Sequence, residues 1–191
     1  MPRAGLSPAA VVDIALGIVD EDGPGALTLA AVAGRAGVAV PSLYKHIRNL
    51  GALHQKLAAA ATAELAEVLT AATAGRAGGD AVEAIAGAYR SYARDRPGRY
   101  PTTQRVPDAA DPAHVAGAER AVAAITAVLR GYSIAGDEAI HATRMLRSAL
   151  HGFVSLEASG GFGMPQDVDG SFTRLVTALD LALRSWPGRA T

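Results

Sequence analysis

A cluster of hydrogen-bond donors near the start of the chain is the feature best suited to chemistry. Between Arg35 and Lys56 there are four basic residues and two histidines but no acidic residue, although the chain has no net charge overall. Arginine, lysine, hydroxyl and imidazole groups bind phosphate oxygens, and some of them also reach base edges. The donors suited to phosphate are Thr28, Tyr44, Lys45, His46 and Arg48, and those that also suit base edges are Ser42 and Lys45. The local surplus of positive charge predicts a nucleic-acid contact confined to one patch.

No pattern in the sequence predicts an enzyme, a metal site or a cofactor. The chain has no cysteine, which excludes thiolate ligands and a cysteine nucleophile. His141 and His151 are ten residues apart, whereas two ligands on one helical face need a spacing of about three or four. The glycine-rich stretch from Gly160 to Gly163 follows a predicted helix rather than a strand, so it is not predicted to cradle a phosphate.

The composition indicates a soluble, globular protein that acts in the cytoplasm. Half of the residues are apolar and about a fifth are charged. No apolar run approaches the roughly 20 residues that a membrane-spanning helix needs. The absence of cysteine fits a reducing compartment.

Two helices are predicted to lead up to the donor cluster. The first spans about 7–21, because Ser7 can cap it and a Gly-Pro-Gly segment stops it. Thr28 is predicted to cap the second, which ends at Gly37, a residue type that turns the chain left-handed without steric cost.

A third helix is predicted to present the donors. It begins at about Val40, and Leu43 and Ile47 lie four residues apart on its apolar face. If these two residues are buried, Ser42 and Lys45 remain near the exposed beginning of the helix. Two short helices joined by a glycine turn match a helix-turn-helix, in which the second helix enters the major groove.

The rest of the chain also carries helical periodicity, which predicts an all-α fold without strands. A fourth helix begins near Gly51 and runs to the Ala-Gly segment around 75–79. The later helices are predicted at about 80–96, 112–131, 136–159 and 169–186. We predict two domains, a helix-turn-helix head at 1–50 and a larger helical body at 51–191, because the basic patch is confined to the first.

The stretch from Ala31 to Leu53 resembles the DNA-binding head of the TetR family of regulators. The resemblance lies in Gly37-Val38, in Ser42-Leu43-Tyr44-Lys45-His46 and in Leu53. It implies that Thr28 binds phosphate and that the other DNA contacts come from Val40, Pro41, Ser42, Tyr44, Lys45 and His46. It also implies double-stranded DNA as the partner.

Two residues depart from the family pattern. Ala39 stands where the family usually has a serine or threonine that caps the recognition helix. Leu50 stands where a lysine commonly opens the fourth helix and holds phosphate. Arg48 or Lys56 would have to replace that lost charge.

A second resemblance covers part of the body. The run from Arg147 to Glu157, followed by Gly160-Gly161-Phe162, is similar to the C-terminal domain of a TetR subgroup with a Trp-x-x-Leu-His-Gly motif, although Arg147 replaces the tryptophan. The resemblance implies that the last two long helices form a four-helix homodimer interface. The apolar residues expected there are Leu150, Phe172, Leu175, Val176, Leu179 and Leu183, with an intramolecular core as the alternative. A two-fold dimer places its recognition helices roughly 34 to 36 Å apart, which predicts an inverted-repeat operator.

The resemblance further implies a repressor that a small-molecule effector releases from DNA, although activation remains open. The residues that could line an effector cavity are Tyr89, Tyr92, Tyr100, His141 and Met145, with an ordinary core as the alternative. The other functions we consider are a small enzyme and a helical adaptor that binds protein alone. The acid-free basic patch disfavours the adaptor.

Overall fold

The computed structural model describes residues 6–187, and within that range it is all α-helical, as the periodicity predicts. The helices are α1 (Pro8–Asp22), α2 (Leu29–Ala36), α3 (Val40–Leu43), α4 (Leu50–Thr73), α5 (Gly78–Asp95), α6 (Pro112–Arg130), α7 (Gly136–Ala158) and α8 (Val168–Arg184). Short 3₁₀ helices at Pro24–Ala26 and Tyr100–Gln104 were not predicted. No helix in the described range is long and apolar enough to span a bilayer.

The chain divides into two compact units. The first unit contains Met1–Ala63 and Arg96–Gly117, and the second contains Glu64–Asp95 and Ala118–Thr191. The domain boundary that we predict at residue 50 is a functional one and coincides with the first residue of α4. The outermost parts of both predicted domains, residues 1–5 and 188–191, lie outside the described residues.

The early helices begin and end where their sequence signals predict. The Ser7 hydroxyl accepts a hydrogen bond from the Ala10 amide at 3.1 Å, and the Thr28 hydroxyl accepts one from the Ala31 amide at 3.0 Å. Such caps satisfy amides that have no partner within the helix, and each contributes about 1 kcal/mol. Gly37 ends α2 at φ 67° and ψ 33°, in the left-handed region where a side chain would be strained.

An apolar cluster forms the core of the helix-turn-helix region. It collects side chains from α1, α2, α3 and the first turns of α4, namely Val11, Ala15, Leu16, Ile18, Val19, Leu27, Val32, Ala33, Leu43, Ile47, Leu53 and Leu57. Fully burying a side chain of leucine size contributes about 1.5 to 3 kcal/mol. The cluster therefore fixes the position of α3 on the first unit.

Candidate nucleic-acid interface

The third helix is shorter than the sequence predicts. Its regular α-helix covers only Val40–Leu43, and the next three residues form a turn. The Leu43 carbonyl accepts hydrogen bonds from the His46 amide at 2.8 Å and the Ile47 amide at 2.9 Å, so the chain still coils as far as Ile47. No side chain caps the start at Ala39, which leaves the first amides of the helix without side-chain partners.

Burial separates two faces of this short segment. Leu43 is 0% exposed and Ile47 is 5% exposed, whereas Tyr44 is 56% exposed. We use the name α3 edge for Val40, Pro41, Ser42, Tyr44, Lys45 and His46. Within it Pro41, Tyr44 and Lys45 are exposed, Ser42 and His46 are half-buried, and Val40 packs partly against the core. The polar α3 edge thus lies at the surface because the apolar face of the segment is fixed inside.

The basic patch carries less free charge than the sequence predicts. The Arg35 guanidinium lies 2.8 Å from the Glu21 carboxylate and 3.6 Å from that of Asp22, at the end of α1. In the described part of the chain no carboxylate lies within ion-pair distance of Lys45, Arg48 or Lys56. The cations left to attract phosphate are these three, and all three side chains are exposed.

The start of α4 shows what replaces the family's usual lysine. Leu50 is half-buried and packs against the apolar cluster. Asn49, which is not among the predicted site residues, caps α4 through a 2.8 Å hydrogen bond from the Ala52 amide to its side-chain oxygen. Leu50 therefore contributes to the core, while Arg48 and Lys56 are the cations near this helix start.

The segment after α5 packs directly against α1 within the first unit. A Cβ atom placed on Gly98 would overlap the Val19 carbonyl oxygen, so only glycine fits there. Next to it the Arg99 guanidinium donates to the Asp20 carboxylate at 2.6 Å. These residues are 79 positions apart in the chain, and no local pattern in the sequence indicates the pair.

One histidine of the first unit has a shifted pKa. His54 is half-buried on α4. Burial is the larger cause that lowers its pKa from 6.5, and the positive charge of Arg105 is the smaller. These surroundings therefore favour the neutral form of His54, which weakens its contribution to the charge of the basic patch.

Comparison with known proteins identifies the family of the chain. A family model described as the tetracyclin repressor-like C-terminal domain matches residues 82–179, about half of the chain. An uncharacterized HTH-type transcriptional regulator of Mycobacterium tuberculosis is 40% identical over 92% of this chain and 81% of its own length. Another, from Bacillus subtilis, is 34% identical over 87% of this chain and 87% of its own length.

The chain belongs to the TetR family of helix-turn-helix transcriptional regulators. Its named relatives are regulators rather than enzymes. The crystal structure of apo ActR from Streptomyces coelicolor superposes with a TM-score of 0.75 at 21% identity, over 98% of this chain and 99% of that one, and it supports the fold.

In this TetR-family chain the predicted effector residues lie in different surroundings. Tyr89 and Tyr92 are buried on α5, and the Tyr92 hydroxyl donates to Glu64 at 3.3 Å. Tyr100 is buried in the first unit, whereas on α7 His141 is exposed and Met145 is half-buried. Two clefts in the second unit, of about 840 and 440 Å³, are lined by none of these five residues. An effector site at them remains a prediction.

Most of the predicted dimer residues are covered by their own chain. Leu175 is half-buried, and the other five have exposures below 9%, namely Leu150, Phe172, Val176, Leu179 and Leu183. Side chains that are already buried in the protomer add little area to an interface. Their burial fits the intramolecular core, which was the alternative, and a role for these five in a dimer interface stays a prediction. The apolar residues that α7 and α8 leave exposed are Ile140, Leu156 and Leu181.

A buried arginine that no pattern in the sequence indicates organises the second unit. Arg90 on α5 is only 8% exposed. Its guanidinium donates to Glu157 at 2.9 Å, lies 2.7 Å from Asp169, and stacks 4.6 Å from the centroid of the Phe172 ring and 5.5 Å from that of Phe153. The hydrogen bond from Arg90 is the main reason that the pKa of Glu157 lies below its usual value.

Proposed function

We propose that the chain binds an inverted-repeat operator as a homodimer and represses transcription until a small-molecule effector releases it. The observation that carries the DNA contact is the division of one short segment into a buried and an exposed side. Leu43 and Ile47 lie in the core, while Tyr44 and Lys45 lie at the surface. A regulator of this kind acts where the chromosome lies, in the cytoplasm.

The proposed contacts divide into two kinds. Thr28, Lys45 and Arg48 contact phosphate, which attracts DNA of any sequence, and the contacts of Ser42 and Lys45 with base edges select the operator. The Thr28 hydroxyl already accepts from the Ala31 amide, and its proton remains available to a phosphate oxygen. Tyr44 and His46 add donors at the same edge. The functional head is the segment 1–50 and the body is 51–191.

The homodimer is proposed to form through the outer faces of α7 and α8 around Leu156 and Leu181, with Ile140 near the start of α7 outside the interface. Leu181 on α8 is 59% exposed, and a two-fold axis near this residue would bring it close to the partner copy. Sedimentation of the purified chain at micromolar concentration should show a dimer. Leu181→Glu should give a monomer, whereas Val106→Glu, at a residue that is 89% exposed in the first unit, should leave the dimer intact. A wild-type monomer would refute the dimer.

Release requires an effector that favours one arrangement of the dimer over another. A ligand shifts such an equilibrium only by the difference between its affinities for the two arrangements. We propose that effector binding turns the bodies and separates the two heads, so that both no longer fit one inverted repeat. Repression follows when the operator overlaps a promoter.

Gel-shift titration with the DNA that flanks the chain's own gene tests this function. We expect a complex on a fragment with an inverted repeat and a much weaker one when one half of the repeat is scrambled. A reporter under that promoter should be expressed less when the regulator is present. Equal binding to both fragments would contradict operator recognition. Higher reporter expression in the presence of the regulator would show activation and contradict repression.

A further inference from the structure

A cleft between α6 and α7 in the second unit has the character of a small-molecule site. Its volume is about 440 Å³, within the roughly 300 to 1,000 Å³ of typical ligand pockets. Its apolar lining includes Val122, Ile134, Ala139 and Ile140. Val122 and Ile140 are 48% and 51% exposed, so about half of each apolar side chain is available to cover a ligand.

The charged residues of the cleft all have one sign. Arg130 from α6 and Arg144 from α7 line it, and its lining contains no carboxylate. Both arginines are exposed, and neither has an ion-pair partner among the described residues. Guanidinium groups bind carboxylate, sulfonate and phosphate oxygens in a planar geometry.

A second, larger cleft of the same unit provides a contrast. Its volume is about 840 Å³, and its lining mixes Arg76 and Arg184 with three acidic residues, Asp80, Glu83 and Asp180. There the Arg184 guanidinium already donates to Asp180 at 2.8 Å. Carboxylates in that cleft would repel an anion, whereas the charged residues that line the cleft between α6 and α7 are both arginines.

We propose that the cleft between α6 and α7 binds a small amphiphilic anion. The apolar part of the ligand covers Val122 and Ile140, and its anionic head binds the guanidinium groups of Arg130 and Arg144. The idea that this anion is the effector rests on the proposed regulatory function, but binding of the anion requires no DNA. Anion binding and operator binding can therefore be tested, and can fail, separately.

Isothermal titration of the full chain with decanoate tests the proposal. The double variant Arg130→Gln, Arg144→Gln should bind decanoate at least about tenfold more weakly, because the charge-assisted hydrogen bonds to the head are lost. The matched control is Arg120→Gln with Arg147→Gln, which removes the same charge from exposed positions of α6 and α7 outside the cleft. Decan-1-ol, which has the same chain without the charge, should bind at least about tenfold more weakly than decanoate.

Two results would overturn the proposal directly. One is the absence of decanoate binding to the wild-type chain, and the other is an equal loss of affinity in both double variants. Melting curves identify any variant that fails to fold. If the double variant does not fold, the single variants Arg130→Gln and Arg144→Gln replace it, and each should bind decanoate more weakly than the wild type does.

A second copy of the chain is the rival occupant of this cleft. Ile140→Glu places a charge on its apolar lining, so it should abolish decanoate binding and leave the sedimentation coefficient unchanged. If Ile140→Glu instead converts a dimer into a monomer, the partner copy covers the cleft and the proposal is wrong. Gel shifts with and without decanoate are scored separately, so a failure of operator binding leaves the calorimetric result intact.

Discussion

The α3 edge and the surroundings of Arg90 use polar side chains in opposite ways. At the α3 edge Tyr44 and Lys45 are exposed, and no ion pair engages Lys45 in the described part of the chain. Around Arg90 the guanidinium is buried and engaged by two carboxylates and two aromatic rings. Donors that are left unengaged can bind an external partner, whereas donors that are fully engaged specify one internal packing. The difference predicts that substitutions at the α3 edge change binding and that substitutions around Arg90 change stability.

The largest effect should come from packing in the first unit and not from its polar edge. Gly98→Ala places a methyl group against the Val19 carbonyl oxygen, where the backbone itself must move. We expect a loss of about 4 kcal/mol in the free energy of unfolding or failure to fold. Urea unfolding followed by circular dichroism measures it.

Gly34→Ala is the matched control for this substitution. Gly34 lies in α2 of the same unit, and apart from its neighbours in that helix no described atom lies within 4 Å of the position of its Cβ. Alanine should stabilise the helix there by about 0.5 to 1 kcal/mol. If Gly98→Ala behaves like the control, residue 98 is not packed against α1.

Glu157→Gln should destabilise the second unit by about 2 kcal/mol, because Arg90 would remain buried with a weaker acceptor. The pKa of Glu157 is lower in the folded chain than its ordinary 4.5, so its contribution to stability is complete above that pH and is lost as the pH falls through the folded value. The wild type should therefore lose stability in acid more steeply than the variant. If the free energy of unfolding falls equally steeply with pH in the wild type and the variant, the Arg90–Glu157 pair does not have this role.

Ala39→Ser should stabilise the first unit by about 1 kcal/mol. Ala39 has the extended conformation of a helix cap, φ −78° and ψ 146°, but no side-chain oxygen that can accept from the α3 amides. Ala30→Ser, at an exposed position within α2, serves as the control and should be neutral or slightly destabilising. A rise in thermal midpoint for Ala39→Ser alone would show that a side-chain cap at residue 39 stabilises α3, and equal effects in both variants would contradict a capping role there.

The smallest effect concerns His54. Because its pKa is lowered in the folded chain, the unfolded chain takes up a proton first, and stability falls as the pH drops below about 6.5. His54→Gln should reduce this dependence between about pH 7 and 5. Unfolding midpoints measured at several pH values check it, and an unchanged slope would assign the dependence to other groups.

The fold was predictable where its signals are local. Ser7, Thr28 and Gly37 mark helix ends through contacts with residues a few positions away, so the sequence contains both partners. The division between Leu43 and Lys45 follows from helical periodicity in the same way. The candidate DNA contacts could therefore be predicted from helix caps, a glycine turn and periodicity, all of which are visible in the sequence.

The rest depends on residues that are distant in the chain. Arg90 and Glu157 are 67 positions apart, and neither helix pattern indicates that they meet. Arg35 looked like part of the basic patch because its partner Glu21 lies on another helix. The apolar stripe of α8 shows that one helix face is buried, but periodicity cannot say whether its own chain or a second copy covers it.

The salt dependence of DNA binding by Lys45→Ala tests the central claim most directly. On DNA flanking the chain's own gene, the variant should bind about fivefold more weakly, and the slope of log affinity against log salt should flatten by about one unit, because one phosphate contact is lost. Arg120→Gln, which removes an exposed charge from α6, should keep the wild-type slope. If Lys45→Ala retains wild-type affinity and slope, Lys45 does not contact the duplex and the α3 edge is not the DNA-binding surface.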